Sequence, residues 1–371
     1  MMFSRLLNRT ALLGTVATML ATTTAVPALA HGVVRADRIE VAFVLDTTGS
    51  MSGLIDNARR KIWSIANTIS RANPNADVRM GLVAYRDFGD DYVVRTFQMT
   101  PDLQEVNALL WKFRASGGGD GPEAVNEALD AGVSKIQWSH SSDTRRLLFL
   151  VGDAPPHMDY QGPHYPEILE EARKHDITVN TVQAGDWRET RQYWQTIARM
   201  GGGRYIAIAQ DGGLTTHYDS PWDDEILELQ RRIDKTVIPY GKRAQQRQLQ
   251  ERLDSKSYAK DHGAVAESSY LIGKGKVTTG GGDLVDDLAA GRVELNAVPQ
   301  EQLPDAVAGL SAEDRDAYVT QKQEERRKLS AQMKELVAKR DDYVAEAKKN
   351  EPSSAPAFDT EVSRLLTEQL K

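Results

Sequence analysis

The sequence predicts an α/β protein: a doubly wound, mostly parallel sheet with helices on both faces, followed by a mainly helical C-terminal region. Three observations carry that expectation. Between residues 38 and 213, short β-branched and apolar runs alternate with segments of helical period, the pattern of successive βαβ units. The runs are nearly continuous rather than alternating, as strands buried on both faces require. Beyond residue 213 the strand-like runs stop and charge becomes dense.

The elements follow in order. Residues 38–45 end as Val-Ala-Phe-Val-Leu, a buried strand, and residues 53–71 place Leu54, Ile55, Ala58, Ile62, Ile65, Ala66 and Ile69 at helical spacing. Strands are expected at 78–85 and, as its hairpin partner, 93–99. Helices are expected at 101–114 and 122–136, the second with Pro122 in its first turn, where a missing N–H costs nothing. Strands at 146–151, 177–183 and 205–209 alternate with helices at 165–175 and 187–200. After that, 222–237 reads as one helix ended by Pro239, and Asp283 as the cap of a short helix through Ala290. Residues 312–349 read as a long amphipathic helix with Leu329, Met333, Leu336, Tyr343 and Ala347 along one seam. It either packs on its own domain or forms a coiled coil through which the chain self-associates. A proline- and serine-rich stretch at 351–358 is expected to link it to a last short helix, and the fold of 240–371 is otherwise legible only as mainly helical.

The first thirty residues put Arg5 and Arg9 before an apolar run and end in Ala28-Leu29-Ala30, the order of a secretory signal peptide. The expected organisation is therefore a signal peptide at 1–30, a domain at 36–213 and the helical region at 214–371, with the mature chain periplasmic or secreted. No other apolar run is long enough to span a bilayer. The chain has no cysteine, which excludes a disulfide framework and thiol catalysis. Loss of Arg5 and Arg9 with the leader takes the formal charge from -7 to -9, and so acidic a surface argues against nucleic-acid binding.

The chemistry concentrates where strands end. The first strand runs into Asp46-Thr47-Thr48-Gly49-Ser50-Met51-Ser52. One carboxylate and two hydroxyls at alternate positions can converge on a hard divalent cation, or can simply cap the next helix. Two more acids tip the balance toward the cation: Asp120 in Gly117-Gly118-Gly119-Asp120-Gly121-Pro122-Glu123, and Asp153 in Val151-Gly152-Asp153-Ala154-Pro155-Pro156-His157. In an open α/β sheet all three loops reach the carboxyl edge, where gathered carboxylates repel one another unless a cation lies among them.

These segments resemble the von Willebrand factor type A family and its metal-ion-dependent adhesion site, over residues 38 to 213. The resemblance implies magnesium or calcium held by Asp46, Thr48, Ser50 and Asp153. It also implies a protein ligand that offers a carboxylate to the metal, across a face made by the loops after Asp46, Asp87, Asp120 and Asp153. The family's loop threonine is missing, and Asp120 is expected to stand in for it, with Glu123 in reserve. The loop from Pro155 to Tyr165 is expected to rim the face. No His-Glu-x-x-His, phosphate-binding loop or Gly-x-Ser-x-Gly motif occurs, so no enzyme is expected. The alternatives are a hydrolase using a metal-activated water with His157 or His164 as base, and a structural envelope protein whose metal only holds loops together.

Overall fold

Strand β1 (Arg38–Asp46) lies at the centre of a six-stranded sheet, with every residue after Arg38 buried. The other strands are β2 (Asp77–Tyr85), β3 (Val94–Thr100), β4 (Thr144–Gly152), β5 (Ile177–Ala184) and β6 (Gly202–Ile208). Their order is β3-β2-β1-β4-β5-β6, all parallel except β3, which returns antiparallel beside β2. We describe this computed structural model over residues 37–119, 121–212, 218–256, 262–349 and 358–370. The expected signal peptide and the proline-rich linker lie outside the described residues.

The burial of β1 on both sides follows from its side-chain alternation. Ile39, Val41, Phe43 and Leu45 enter one core cluster and Ala42 and Val44 the other, because successive side chains of a strand point to opposite faces. Helices α1 (Ser52–Ala72) and α2 (Leu103–Lys112) cover the first face. Helices α3 (Val125–Asp130), α4 (Tyr165–Lys174) and α5 (Arg188–Met200) cover the second. The sheet is doubly wound, as its sequence pattern requires.

One element departs from expectation. The helix expected at 122–136 begins only at Val125 and finishes as a π-helical turn at 131–135. The residues before it are engaged elsewhere: Glu123 N–H donates to Pro155 O at 2.9 Å and Glu123 O accepts from His157 N–H at 3.2 Å. Pro122 therefore stands ahead of the helix rather than in its first turn.

The remaining helices are α6 (Asp223–Asp234), α7 (Arg243–Lys256), α8 (His262–Gly273), α9 (Leu284–Ala289), α10 (Asp305–Ala308), α11 (Ala312–Lys349) and α12 (Phe358–Gln369). The apolar stripe of α11 meets its own chain: Leu329, Met333, Leu336 and Val337 pack with Ile226, Leu229 and Ile233 of α6 and with Val265 and Ile272 of α8. Tyr343, farther along, stays exposed. Helix α12 returns to the sheet domain, where Phe358, Val362, Leu365 and Leu366 join the core on the α1 side. Thr68 Oγ1 donates to Ser363 Oγ at 3.0 Å, and the amides of Asn180 and Gln369 exchange bonds of 3.0 and 2.8 Å. Residues 35–371 thus form one compact unit. Asp283 caps α9, accepting from Val285 N–H at 3.1 Å. Among the described residues, no helix is long and apolar enough to cross a membrane.

Candidate metal centre

The strand order turns back on itself between β1 and β4, which run side by side in register from Arg38 opposite Thr144 to Leu45 opposite Val151. At such a switch point the loops leaving the two strands diverge and open a crevice at the carboxyl edge of the sheet. Asp46 closes β1 there and Asp153 follows β4 directly. The expected donors of β1 and β4 are brought together by this topology alone.

Asp46 is wholly buried and its Oδ1 accepts from Thr48 N–H at 2.8 Å and from Thr48 Oγ1 at 2.7 Å. Thr48 Oγ1 lies 3.3 Å from Ser50 Oγ, so the acid and both hydroxyls gather at one point as the chain turns into α1. Thr48 is buried but Ser50 is exposed, leaving one side of the group open to solvent. Asp153 presents Oδ2 to the Gln210 amide at 2.5 Å, and Gln210 also reaches Ser50 O at 3.4 Å. Thr190 Oγ1 fixes the Asp153 carbonyl at 2.8 Å. Gln210, from the loop after β6, is a residue the sequence reading missed, and a neutral amide far along the chain carries no motif that would have marked it.

Asp120 lies outside the described residues. Glu123 does not: it is 4% exposed and its backbone is stitched to the loop after β4 by the bonds to Pro155 and His157 and by a parallel bridge to Pro156. The glycine turn before it makes room for the carboxylate. Gly118 has φ +74°, and a Cβ there would stand 3.0 Å from Glu123 Oε1 and 3.2 Å from Thr48 Cβ. Gly118 N–H instead donates to Asp90 Oδ2 at 2.9 Å. Gly152 is needed for the same reason, since a Cβ would strike the Tyr85 hydroxyl and lie 3.3 Å from Asp46 Oδ2.

The electrostatics of this group are one-sided. Burial, and then the charge of Asp153, push the Asp46 carboxyl up to about 7 despite the two Thr48 bonds. Burial pushes Glu123 up to about 9, reinforced by Asp46, Asp87, Asp153 and Asp90, all negative. The Tyr85 hydroxyl beneath them is raised by burial and by Asp46, Glu123 and Asp153. Two oxygens, Asp46 Oδ2 and Glu123 Oε2, are buried without a hydrogen-bond partner, and orphaned buried carboxylate oxygens are costly. Oxygen-only donors, two of them orphaned and none offset by a described cationic side chain, fit a hard divalent cation. No three acidic or imidazole side chains among the described residues are grouped tightly enough to hold a metal by themselves, so hydroxyls and water would complete the coordination.

Residues 40–218 match the family model for the von Willebrand factor A domain. The chain carries a von Willebrand factor A domain. Over 120 residues it is 28% identical to the alpha-protein kinase vwkA of Dictyostelium discoideum, a stretch covering 32% of this chain and 19% of that protein. Over 152 residues it is 25% identical to the putative ariadne-like RING finger protein R811 of Acanthamoeba polyphaga mimivirus, covering 41% of this chain and 14% of that protein. The chain thus spans less than a fifth of the length of these curated relatives. Among solved structures, proximal thread matrix protein 1 of the mussel byssus, with a zinc-occupied MIDAS motif, is 14% identical and aligns with a TM-score of 0.37. That alignment covers 47% of this chain and 43% of that one.

The rim of the von Willebrand factor A domain's carboxyl edge is aromatic. The Phe88 and Tyr160 rings lie 4.4 Å apart at a tilt of 42°, and His157 meets the Tyr160 ring edge-on at 4.6 Å. Phe88, Met158, Tyr160 and Trp187 are all exposed. His157 itself is buried and bonded through Nε2 to Asp87 Oδ1 at 2.8 Å, which ties the loops after β2 and β4 together. Asn126 secures the same loop at its far end: Nδ2 donates to His157 O at 2.7 Å and lies 3.3 Å from His164 Nδ1, and Oδ1 accepts from Tyr165 N–H at 2.9 Å. His157 and Tyr160 therefore ride on a loop held at both ends, with Phe88 meeting them from the loop after β2.

Proposed function

We propose that this von Willebrand factor A domain is a metal-dependent protein-binding module that works outside the cytoplasm. Asp46, Thr48, Ser50 and Asp153 would hold a divalent cation, magnesium or calcium, which would supply the positive charge that a carboxylate of a ligand protein seeks. The observation that carries the reading is the pair of buried, unpartnered carboxylate oxygens on Asp46 and Glu123 beside the exposed Ser50. Buried like charges without partners persist where a bound ion compensates them, and an exposed hydroxyl at one side keeps that ion within reach of another molecule. The extracytoplasmic setting is supported by the leader-like order of Arg5, Arg9, the apolar run and Ala28-Leu29-Ala30.

Binding is favoured over catalysis by the state of the nearest imidazoles. A general base needs a free lone pair within reach of the reacting water. His157 is 7% exposed with Nε2 committed to Asp87, and His164 Nδ1 faces the Asn126 amide. Asp46→Ala tests the reading: the variant is expected to stay folded while losing both magnesium uptake and capture of its protein ligand from envelope extract. Capture that survives the substitution, or that proceeds equally in chelator, would refute it.

A further inference from the structure

We propose that Glu123 adds a third negative charge beside the cation site, reaching the ion through water rather than as one of a tight trio of acidic ligands, and that its charge strengthens hold on the cation while weakening capture of an anionic partner group. This rests on the reading that the cluster binds a divalent cation. Glu123 Oε2 is buried with no partner, as is Asp46 Oδ2. Oε1 and Thr48 Cβ flank one point beside Gly118, at 3.0 and 3.2 Å from where its Cβ would lie, so the carboxylate shares its space with an expected ligand. The backbone gives it no way out: Glu123 N–H, Glu123 O and Ala124 N–H are bonded to Pro155, His157 and Arg86 respectively.

Charge arithmetic gives the consequence. Two acids around a doubly charged ion leave a neutral site, and a third leaves it one charge negative. Attraction to the cation rises with each carboxylate, whereas an incoming carboxylate must approach a centre whose charge is already over-compensated. The wild-type site is thus built for firm retention of the ion and weak, readily reversed uptake of a partner's acid.

The probes are Mn²⁺ alone and then acetate. Mn²⁺ affinity is read by the loss of free-ion electron paramagnetic resonance signal, and acetate binding to the loaded protein by the fall in water-proton relaxation as bound water is displaced. Glu123→Gln keeps the shape without the charge, and Glu123→Thr restores the family's residue type. Both are expected to bind Mn²⁺ at least tenfold more weakly and, once loaded, to take up acetate several-fold more tightly than wild type. Melting in chelator checks that each is folded, so that either variant alone suffices for the comparison. Mn²⁺ affinity within twofold of wild type, or acetate affinity that does not rise, overturns the proposal. Asp46→Ala separates the two readings: if it retains Mn²⁺ the metal site itself is wrong, whereas if it loses Mn²⁺ and the Glu123 variants do not, only the role of Glu123 falls.

Discussion

At the start of α9, Asp283 Oδ2 and Asp286 Oδ1 both accept from Arg326 Nη1, at 2.6 and 2.5 Å, and Arg326 Nε donates to Thr236 Oγ1 at 2.7 Å. At the carboxyl edge of the sheet, Asp46, Asp153 and Glu123 meet no cationic side chain among the described residues. Both groups are desolvated, and each draws one acid from a Gly-Gly-Gly-Asp region: Asp283 ends the segment at 280–283, and Glu123 follows the one at 117–120. Burial raises Asp283 to about 6 while Arg326 pulls it back; Asp46 and Glu123, with no such restraint, go to about 7 and about 9. A fold that needs an acid pair only to pin a helix can supply the counter-charge from its own chain. A fold that leaves the counter-charge to an outside ion gains a site that ion can occupy and lose.

The largest effect is expected where the counter-charge is internal. Arg326→Ala strands two carboxylates, one of them 2% exposed, and removing one partner of a buried pair costs about 3–5 kcal/mol. Denaturant unfolding monitored by circular dichroism measures it, and a loss under 1 kcal/mol would mean that the Arg326 ion pairs do not hold α11 and that its apolar stripe and the Arg340–Asp223 pair do. The same experiment at the sheet edge is done by adding the cation. Magnesium at a hundred times its dissociation constant should stabilise the domain by about 2.7 kcal/mol, and do so increasingly as pH rises. An acid whose folded pKa lies above its unfolded value favours the folded state at low pH and ceases to do so as pH climbs through the folded value. Asp46 and Glu123 start from 3.8 and 4.5, so metal-free stability should fall between about pH 4 and pH 9. The gap between melting temperatures with magnesium and with chelator should therefore widen from pH 5 to pH 8. A constant gap would show that these acids are not what the ion neutralises.

Gln210 sharpens the comparison further, because it plays for Asp153 the orienting part that Thr236 plays for Arg326. Groups that orient metal ligands from outside typically contribute 10–100-fold to affinity. Gln210 is exposed, so Gln210→Ala is expected near the low end, about tenfold weaker magnesium binding by calorimetry with an unchanged melting temperature in chelator. Equal affinity would mean that Asp153 is positioned by the Thr190 bond to its carbonyl alone.

How far the sequence revealed these two groups depended on what fixed each residue. Asp46, Thr48 and Asp153 were legible because buried parallel strands announce themselves as apolar runs, and the residue just past such a run must lie at the carboxyl edge. The position of Glu123 was not, since Pro122 reads as a helix start, and the backbone bridge to Pro156 that delays the helix to Val125 leaves no mark in either segment. Gln210 and Arg326 were hidden for a related reason: each acts on acids far away in the sequence, Gln210 on Asp153 57 positions off and Arg326 on Asp283 43 positions off. The stripe of Leu329, Met333 and Leu336 was readable as apolar, but an amphipathic pattern says only that a face is covered. That α6 and α8 cover it is a tertiary fact.

The smallest predicted change is also the one that tests the contrast most directly. Asn in place of Asp keeps size and hydrogen-bonding shape but removes the charge, so its effect on stability reports whether that charge is opposed or repelled where it lies. At Asp283 the exchange deletes the partner of Arg326 and should destabilise. At Asp46, measured in chelator at pH 8, Asn can still accept from Thr48 through its oxygen, while its amide supplies a donor to the side on which Oδ2 has none. It also removes the negative charge that Asp153 opposes, so Asp46→Asn should stabilise the metal-free protein by about 1 kcal/mol while abolishing its response to magnesium. Opposite signs for the same substitution at the two positions would establish that one acid is answered by the chain and the other waits on an ion; matching losses at both would show that Asp46 already has its counter-charge within the protein.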